Sequence, residues 1–185
     1  VTTFWPEFGK NGKGNITIRD VLDHRAGLIT FGREFGLEEA KNSNVIAELI
    51  ETATPLWTPG SHRGYHAFTY GFVVDRIIRR LHPKGYDVPT IYKEEIWEEG
   101  RTLVCNLSKD PIPYNDPAVR ELSLTSCMGI GTALGFAQAI QQVFKKNMIP
   151  DSIRKIISEP TATEEDIVLA EEKSFGHGFI YARHP

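Results

Sequence analysis

Tyr65 and His66 follow a Pro-Gly turn at Pro59-Gly60 and precede a stretch with the apolar periodicity of an amphipathic helix. The helix is predicted to run from about residue 65 to residue 81. A phenol at the mouth of a helix could act as an acid or a base, because the positive end of the helix dipole favours the phenolate. The alternative is a tyrosine at the protein boundary, with its ring buried and its hydroxyl in water. From the residues alone, the boundary tyrosine is the favoured interpretation.

A metal site is the second kind of chemistry that the spacing suggests. His62 and His66 are four residues apart, as two zinc ligands on one helical face would be. The glutamate of the H-E-x-x-H motif is absent, and the Pro59-Gly60 turn argues against a helical His62. No metal site is therefore predicted. The polar run Asp23-His24-Arg25 is interpreted as fixing a loop, and His177, between two glycines, as structural.

Ser152 and Lys155, one helical turn apart, form the S-x-x-K pattern of serine nucleophiles. In that pattern the lysine takes or holds the proton of the attacking hydroxyl. Here Ser152 follows the residues MIPD, a usual place for a helix cap, and Lys155 is one of several neighbouring charges. A capping serine on a surface helix is the favoured interpretation.

A glycine-rich stretch, GIGTALG at residues 129–135, resembles a dinucleotide-binding turn. Its third glycine is one position late, the preceding ELSLTSCM is a poor buried strand, and no acidic residue follows at the expected distance. A tight turn that lets a helix start close to another backbone is favoured instead, and no cofactor is predicted. A nucleotide-binding module that uses this stretch is kept as one functional hypothesis.

The composition is that of a globular protein and narrows the list of partners. The 185 residues are 41% hydrophobic and 10% aromatic, and their formal charge is −3. No basic stripe offsets that charge, so no nucleic acid is expected as a partner. No apolar run reaches the length of a membrane span and no signal peptide opens the chain, so no membrane is expected either. Cys105 and Cys127 suit a reducing, intracellular compartment, although two cysteines leave the localisation open.

Helices dominate the predicted elements. Thr17 and Asp20 are expected to form a capping box for a helix that ends at Gly27. Asn44 is predicted to cap the next helix, which Pro55 terminates. Strands are predicted only at 101–108 and 175–182. Four further helices are predicted, over residues 88–97, 131–146, 150–159 and 163–172.

Three segments, in this order, resemble the serine β-lactamase-like family, and more closely its esterase-like and eukaryotic branches than the antibiotic-destroying enzymes. FWPEFGKNGKGNITIRDVLDHRAGL (4–28) resembles the family's segment after the nucleophile helix, which ends in His-x-x-Gly-Leu. LWTPGSHRGYHAFTYGFVVDRIIRR (56–80) resembles the turn and helix that bear the Tyr-x-Asn-type motif. SLTSCMGIGTALGFAQAI (123–140) is similar to the Gly-x-x-Thr-Ala segment before a later helix. The resemblance extends from about residue 4 to residue 181.

This resemblance implies an α+β fold of the β-lactamase/penicillin-binding-protein type, represented mostly by its helical subdomain with part of the antiparallel sheet. It implies one partial domain over residues 1–185, without the nucleophile helix and the C-terminal strands. A Ser-x-x-Lys motif is expected before Phe4, and a Lys-Thr-Gly or His-x-Gly strand after Pro185. Gly176-His177-Gly178 does not fit the second motif, since its histidine must come two places before the glycine.

Tyr65 matches the motif tyrosine and is, by this resemblance, the predicted catalytic residue. In the family its hydroxyl, near a lysine, helps to move the proton between the nucleophilic serine and the leaving group. The motif's third position is Ala67 rather than Asn, which offers no amide to a β-lactam side chain and disfavours antibiotic turnover. The prediction is a fragment of a metal-free serine hydrolase that acts on a small-molecule ester or amide through an acyl-enzyme. The alternative is a non-catalytic scaffold or binding protein that retains the fold; the oligomeric state is left open.

Overall fold

The computed structural model describes residues 1–96, 116–120, 122 and 133–182. In these ranges helices are followed by a three-stranded antiparallel sheet of order β1-β2-β3, as expected for an α+β fold. A 3-10 helix spans Pro6–Gly9 and a π-helical turn spans Tyr92–Ile96. The helices are α1 (Ile18–Leu22), α2 (Leu37–Lys41), α3 (Ser43–Thr52), α4 (Thr69–Leu81), α5 (Val88–Ile91), α6 (Pro117–Arg120), α7 (Ala133–Lys145) and α8 (Asp151–Ile157). The strands are β1 (Ala162–Asp166), β2 (Glu171–Gly176) and β3 (Phe179–Tyr181).

The capping residues of the first helices were only partly predicted. Thr17 and Asp20 form the expected capping box, in which the Thr17 hydroxyl accepts from the Asp20 N–H at 3.0 Å and the Asp20 carboxylate accepts from the Thr17 N–H at 2.8 Å. However, α1 ends at Leu22 rather than at Gly27, because His24 adopts a left-handed backbone with φ of 58°. The cap of α3 is Asn42 instead of Asn44, since its side chain accepts from two backbone N–H groups at the start of that helix.

The core lies between the N-terminal segment, α3 and α4. Apolar side chains from these three parts are buried together, namely Trp5, Phe8, Ile16, Ile46, Leu49, Ile50, Phe72, Val73 and Ile77. Lys13 is also fully buried, and its Nζ donates to the carbonyl oxygens of Lys10, Glu51 and Ala53. Burial lowers the pKa of Lys13 to about 8. The ammonium thus occupies the carbonyl-rich C-terminal end of α3, where a cation is favourable.

The predicted helix over residues 163–172 is wrong, because these residues form β1, a turn and the start of β2. Side chains along β1 alternate as in a half-buried strand, but its inward positions include Glu164 and Asp166. The sequence of β1 therefore lacks the alternation of apolar residues that indicates a strand. The many Glu and Ala residues over 162–172 favoured a helix instead. The predicted strand at 175–182 is interrupted by a two-residue turn, in which His177 and Gly178 both have positive φ.

The remaining predicted elements fall partly inside and partly outside the described residues. The helices predicted over 88–97, 131–146 and 150–159 are confirmed where described, as α5 with its π-helical turn, α7 and α8. The predicted strand at 101–108, both cysteines and the GIGT part of GIGTALG lie outside the described residues. Among the helices that are described, none combines the length and apolar character needed to cross a bilayer.

Candidate active site

Two loop segments, residues 24–28 and 56–66, are joined by backbone hydrogen bonds ahead of α4. The Leu56 N–H donates to the Gly27 carbonyl at 2.9 Å, and the Gly64 N–H donates to the His24 carbonyl at 3.1 Å. Gly27 has φ of 76°, and a Cβ at this position would lie 3.0 Å from the Trp57 carbonyl oxygen. The glycine of His-x-x-Gly-Leu is thus required by both backbone conformation and close approach.

His66 connects the same two segments through its imidazole ring. Nε2 accepts a hydrogen bond from the Leu28 N–H at 2.8 Å, and Nδ1 lies 2.6 Å from the Gly64 carbonyl oxygen. Because a carbonyl can only accept, Nδ1 carries the proton of a neutral ring. Burial lowers the pKa of His66 to about 4, against the smaller opposing effects of the Gly64 hydrogen bond and the Asp166 charge. His66 is therefore a structural residue.

His24 packs beside Tyr65 and fixes the loop that follows α1. Its ring centroid lies 5.1 Å from that of Tyr65 and 4.6 Å from that of Tyr70. Nδ1 accepts from the His66 N–H at 3.2 Å, so this nitrogen is unprotonated. Burial, followed by the nearby His66, lowers the pKa of His24 to about 4. The interpretation of this polar run as loop-fixing is confirmed for His24.

Tyr65 is half-buried and lies in the turn before α4 rather than in the helix. The helix begins at Thr69, so the expectation that Tyr65 stands at its mouth, beside the positive end of the dipole, is wrong. The Tyr65 backbone N–H donates to Asp166 Oδ1 at 3.1 Å, and its ring meets His24 edge-on. No hydrogen bond joins the Tyr65 hydroxyl to another described residue. The turn is held by its backbone, and within the described ranges the Tyr65 hydroxyl has no hydrogen bond that a reaction would have to break.

The β1-β2 hairpin covers the Tyr65 turn through Asp166, which is 1% exposed. Asp166 Oδ1 accepts from the backbone N–H groups of Tyr65, Val168 and Leu169 at 3.1, 3.0 and 3.0 Å. A Cβ on Gly64 would lie 2.8 Å from a Val168 methyl and 2.7 Å from the Trp57 ring. The absence of a side chain at Gly64 therefore lets the hairpin approach closely.

Charged side chains hold the sheet against the loops at two further points. Arg63 is 2% exposed, stacks over the Phe175 ring at 4.1 Å and donates through Nε to Glu164 at 2.8 Å. Arg25 pairs with the same carboxylate. Burial acts to raise the pKa of Glu164, but the hydrogen bonds from both arginines outweigh it and lower the pKa. At the other end of the sheet, the Gly178 N–H donates to Asp23 Oδ1 at 3.1 Å.

Sequence reasoning missed Arg63, Glu164 and Asp166. Glu164 and Arg63 are 101 residues apart in the chain, and so are Asp166 and Tyr65. The local sequence carried little signal for a strand, because Glu164, Glu165 and Asp166 are three consecutive acids and only the structure shows that Glu164 and Asp166 share the inward face.

The S-x-x-K pattern does not form a site in the described part of the chain. Ser152 and Lys155 are both exposed on α8, and no hydrogen bond joins their side chains. The interpretation of Ser152 as a cap is wrong, because Pro150 occupies the cap position and Ser152 lies inside the first turn.

The two histidines considered as metal ligands differ in environment. His62 is exposed, and both nitrogens of His66 are already engaged. Both residues precede α4, so helical spacing does not bring them onto one face. Within the ranges that the structure describes, no group of three or more His, Cys, Asp or Glu could hold a metal ion.

A cleft of about 400 Å³ opens beside the first turn of α4, which begins four residues after Tyr65. Four aromatic rings, those of Phe31, Phe35, Phe68 and Phe72, dominate its lining. Phe68 is half-exposed, while Phe31 and Phe72 belong to the core. The cleft thus offers a partly aromatic surface at the start of α4, with Arg33 and Glu34 also in its lining.

Residues 1–104, more than half of the chain, match the Beta-lactamase family. The chain therefore belongs to the Beta-lactamase family, a family of hydrolases, as the motif resemblance implied. The curated Esterase/beta-lactamase LipL of Mycobacterium tuberculosis is 32% identical over 115 residues, which are 60% of this chain and 25% of LipL. The chain thus spans about a quarter of the length of that relative.

Solved structures establish the fold. EstA from Arthrobacter nitroguajacolicus Rue61a superposes with a TM-score of 0.79 at 24% identity, over 99% of this chain and 61% of EstA. A family VIII carboxylesterase gives 0.79 at 18% identity, over 98% of this chain and 59% of that structure. A penicillin-binding protein homolog from Caulobacter crescentus gives 0.65 at 21% identity, over 97% and 58%. The α+β fold is of the β-lactamase/penicillin-binding-protein type.

Proposed function

We propose that this chain is part of a serine hydrolase that cleaves a small-molecule ester or amide through an acyl-enzyme, with Tyr65 as a proton-transfer residue. The observation that carries the proposal is the state of Tyr65, whose backbone is fixed while no described residue hydrogen-bonds to its hydroxyl. A general acid–base residue needs this combination of fixed position and available proton site.

The proposed reaction has two stages. The hydroxyl of a serine, expected in a Ser-x-x-Lys motif before Phe4, attacks the substrate carbonyl and forms the Ser Oγ–C bond. The Tyr65 Oη accepts the serine proton and passes a proton to the departing alcohol or amine as the C–O or C–N bond breaks. Water then attacks the acyl-enzyme carbonyl and passes a proton back to the serine through the same phenol.

An apolar ester is the favoured substrate class. The aromatic part of the cleft at the start of α4 suits an apolar acyl or alcohol group, and Ala67 provides no amide for the side chain of a β-lactam. The names of LipL, as an esterase/β-lactamase, and of the family VIII carboxylesterase support an ester bond as the reacting group.

The proposal is tested by trapping the acyl-enzyme of the full-length protein. We expect hydrolysis of a p-nitrophenyl ester and labelling by a fluorophosphonate at one serine of a Ser-x-x-Lys motif before Phe4. Ser152→Ala serves as the matched control and should leave both results unchanged, since Ser152 is an exposed residue of α8.

Stoichiometric labelling of Ser152 would overturn the placement of the nucleophile. If the full-length protein shows no hydrolysis and no labelling, the result would instead favour the alternative, a non-catalytic scaffold or binding protein with the same fold. The 185-residue chain by itself should hydrolyse no activated ester above background, because the proposal places the nucleophile outside it.

A further inference from the structure

We propose that Asp166 is a positioning residue for Tyr65, which holds the motif tyrosine in its reactive position through the backbone. This inference rests on the proposed function of Tyr65. Asp166 acts through one carboxylate oxygen, Oδ1, which lies 3.1 Å from the Tyr65 nitrogen. The carboxylate comes from the end of β1, so a rigid element of the sheet fixes a residue of a loop.

Asp166 Oδ1 binds two turns at once, the Tyr65 turn and the β1-β2 turn. Besides Tyr65, the oxygen accepts from the N–H groups of Val168 and Leu169, both at 3.0 Å, which belong to the β1-β2 turn. One oxygen thereby joins the tip of the hairpin to the motif turn. Three N–H groups directed at a single buried oxygen compensate part of the cost of its burial.

Asp166 is not needed to attach the hairpin to the rest of the molecule. Arg63 binds Glu164 on the same strand, and its carbonyl accepts from the Ile167 N–H at 2.9 Å. Asp23 binds the β2-β3 turn independently through Gly178. Loss of the Asp166 carboxylate should therefore leave the hairpin docked through these contacts, while it frees the Tyr65 turn and the Val168 and Leu169 N–H groups at the tip of the hairpin.

The second oxygen of Asp166 also distinguishes the residue from an ordinary structural acid. Oδ2 is buried and has no hydrogen-bond partner among the described residues. A buried carboxylate oxygen without a partner is destabilising, so stability alone does not account for this side chain. A buried Asp166 is explained if its Oδ1 is needed to hold the Tyr65 turn in place.

The experiment compares Asp166→Ala with Asp166→Asn in the full-length protein. Asn keeps an acceptor oxygen for the three N–H groups, whereas Ala removes it. For an ester substrate we expect Asp166→Ala to lower kcat by roughly 10- to 100-fold, the cost of a misplaced reacting group. KM should change by less than about threefold, and Asp166→Asn should recover most of kcat.

A double-mutant cycle tests whether Asp166 acts through Tyr65. In a Tyr65→Phe background, Asp166→Ala should lower kcat by no more than about twofold further, because the residue that it positions is already inactive. If the double variant loses kcat by the product of the two single losses, the inference is overturned. It is also overturned if Asp166→Asn lowers kcat as much as Asp166→Ala does.

Fluorine NMR of 3-fluorotyrosine-labelled protein separates this inference from the proposed function. The Tyr65 resonance, assigned by its loss in Tyr65→Phe, should shift or broaden in Asp166→Ala and return in Asp166→Asn. An unmoved resonance in Asp166→Ala would refute the positioning role even if the protein is a hydrolase. A moved resonance in a protein without hydrolase activity would support the positioning contact and refute only the proposed reaction.

Discussion

His66 and Leu28 are joined by a buried hydrogen bond of 2.8 Å, from the backbone N–H of Leu28 to Nε2 of the imidazole. The bond connects the His-x-x-Gly-Leu motif with the turn that carries Tyr65. Two motifs that are 38 residues apart in the chain are therefore one structural unit, and their stability depends on a neutral histidine.

We expect His66→Ala to lower the free energy of unfolding by about 2 kcal/mol or more, because the buried Leu28 N–H loses its acceptor and a cavity replaces the ring. Urea denaturation followed by circular dichroism measures the change. His62→Ala is the matched control, and this exposed residue should stay within about 0.5 kcal/mol of the wild type. Equal midpoints for both variants would contradict a structural role for His66.

Stability should fall as the pH is lowered from about 6.5 to about 4. Burial lowers the pKa of both His24 and His66 from 6.5 to about 4, so both rings stay neutral in the folded state over this window. The unfolded chain binds more protons there, and the stability present above pH 6.5 is progressively lost. The free energy of unfolding across this window checks the expectation. His66→Gln should flatten the decline, and parallel curves for variant and wild type would exclude His66 as its source.

Tyr65→Phe should lower kcat of the full-length protein for an ester by roughly 10²- to 10⁴-fold, because the proton-transfer group is removed while the ring is kept. KM and the melting temperature should change little. Steady-state kinetics provide the measurement.

Tyr70→Phe is the matched control for that experiment. Tyr70 packs on the same His24 ring, and burial, followed by Asp23 and Tyr65, raises the pKa of its phenol, so it stays protonated. Its variant should retain activity. Unchanged kcat in Tyr65→Phe, or equal losses in both variants, would refute a specific role for the Tyr65 hydroxyl.

Gly64→Ala should destabilise the protein by about 1–3 kcal/mol, because the new methyl group would overlap the Trp57 ring and the Val168 side chain. Gly14→Ala is the control, since a Cβ at Gly14 would meet only the Gly9 carbonyl at 3.9 Å. Thermal melts of the two variants check the difference. A Gly64→Ala protein as stable as Gly14→Ala would show that the hairpin can move away without cost.

The parts of the fold that could be predicted are those with local signals. α3 was found by apolar spacing, α7 as a long helical stretch with lysines in its last turn, and the capping box of α1 by two polar residues three positions apart. β1 was missed because its inward side chains include two acids, of which Glu164 pairs with Arg25 and Arg63, 139 and 101 residues away. A charge-paired inner face carries no hydrophobic alternation, so local patterns predicted a helix there.

In the candidate site, too, the residues with a local signal could be predicted and those with only distant partners could not. Tyr65 could be predicted by its match to a family motif, and a polar loop at His24 by its position near the end of a helix. The roles of His66 and Asp166 could not, since each depends on a backbone group that only the folded chain brings near: the Leu28 N–H for His66 and the Tyr65 N–H for Asp166. The start of α4 at Thr69 was also unforeseen, because apolar spacing continues back to Phe68 without marking the boundary.

The dependence of the Tyr65 turn on a strand 101 residues further along the chain has a consequence for biosynthesis. At about 5–20 residues per second, a ribosome needs roughly 5–20 s to add the residues that separate Tyr65 from Asp166. During that interval the turn lacks its carboxylate partner, and Gly64 and Trp57 lack the hairpin that covers them. Nascent chains that end before Glu164 should be cut readily by protease between residues 60 and 66, whereas chains that extend past residue 182 should resist. The motif tyrosine is thus synthesised early and reaches its final geometry late.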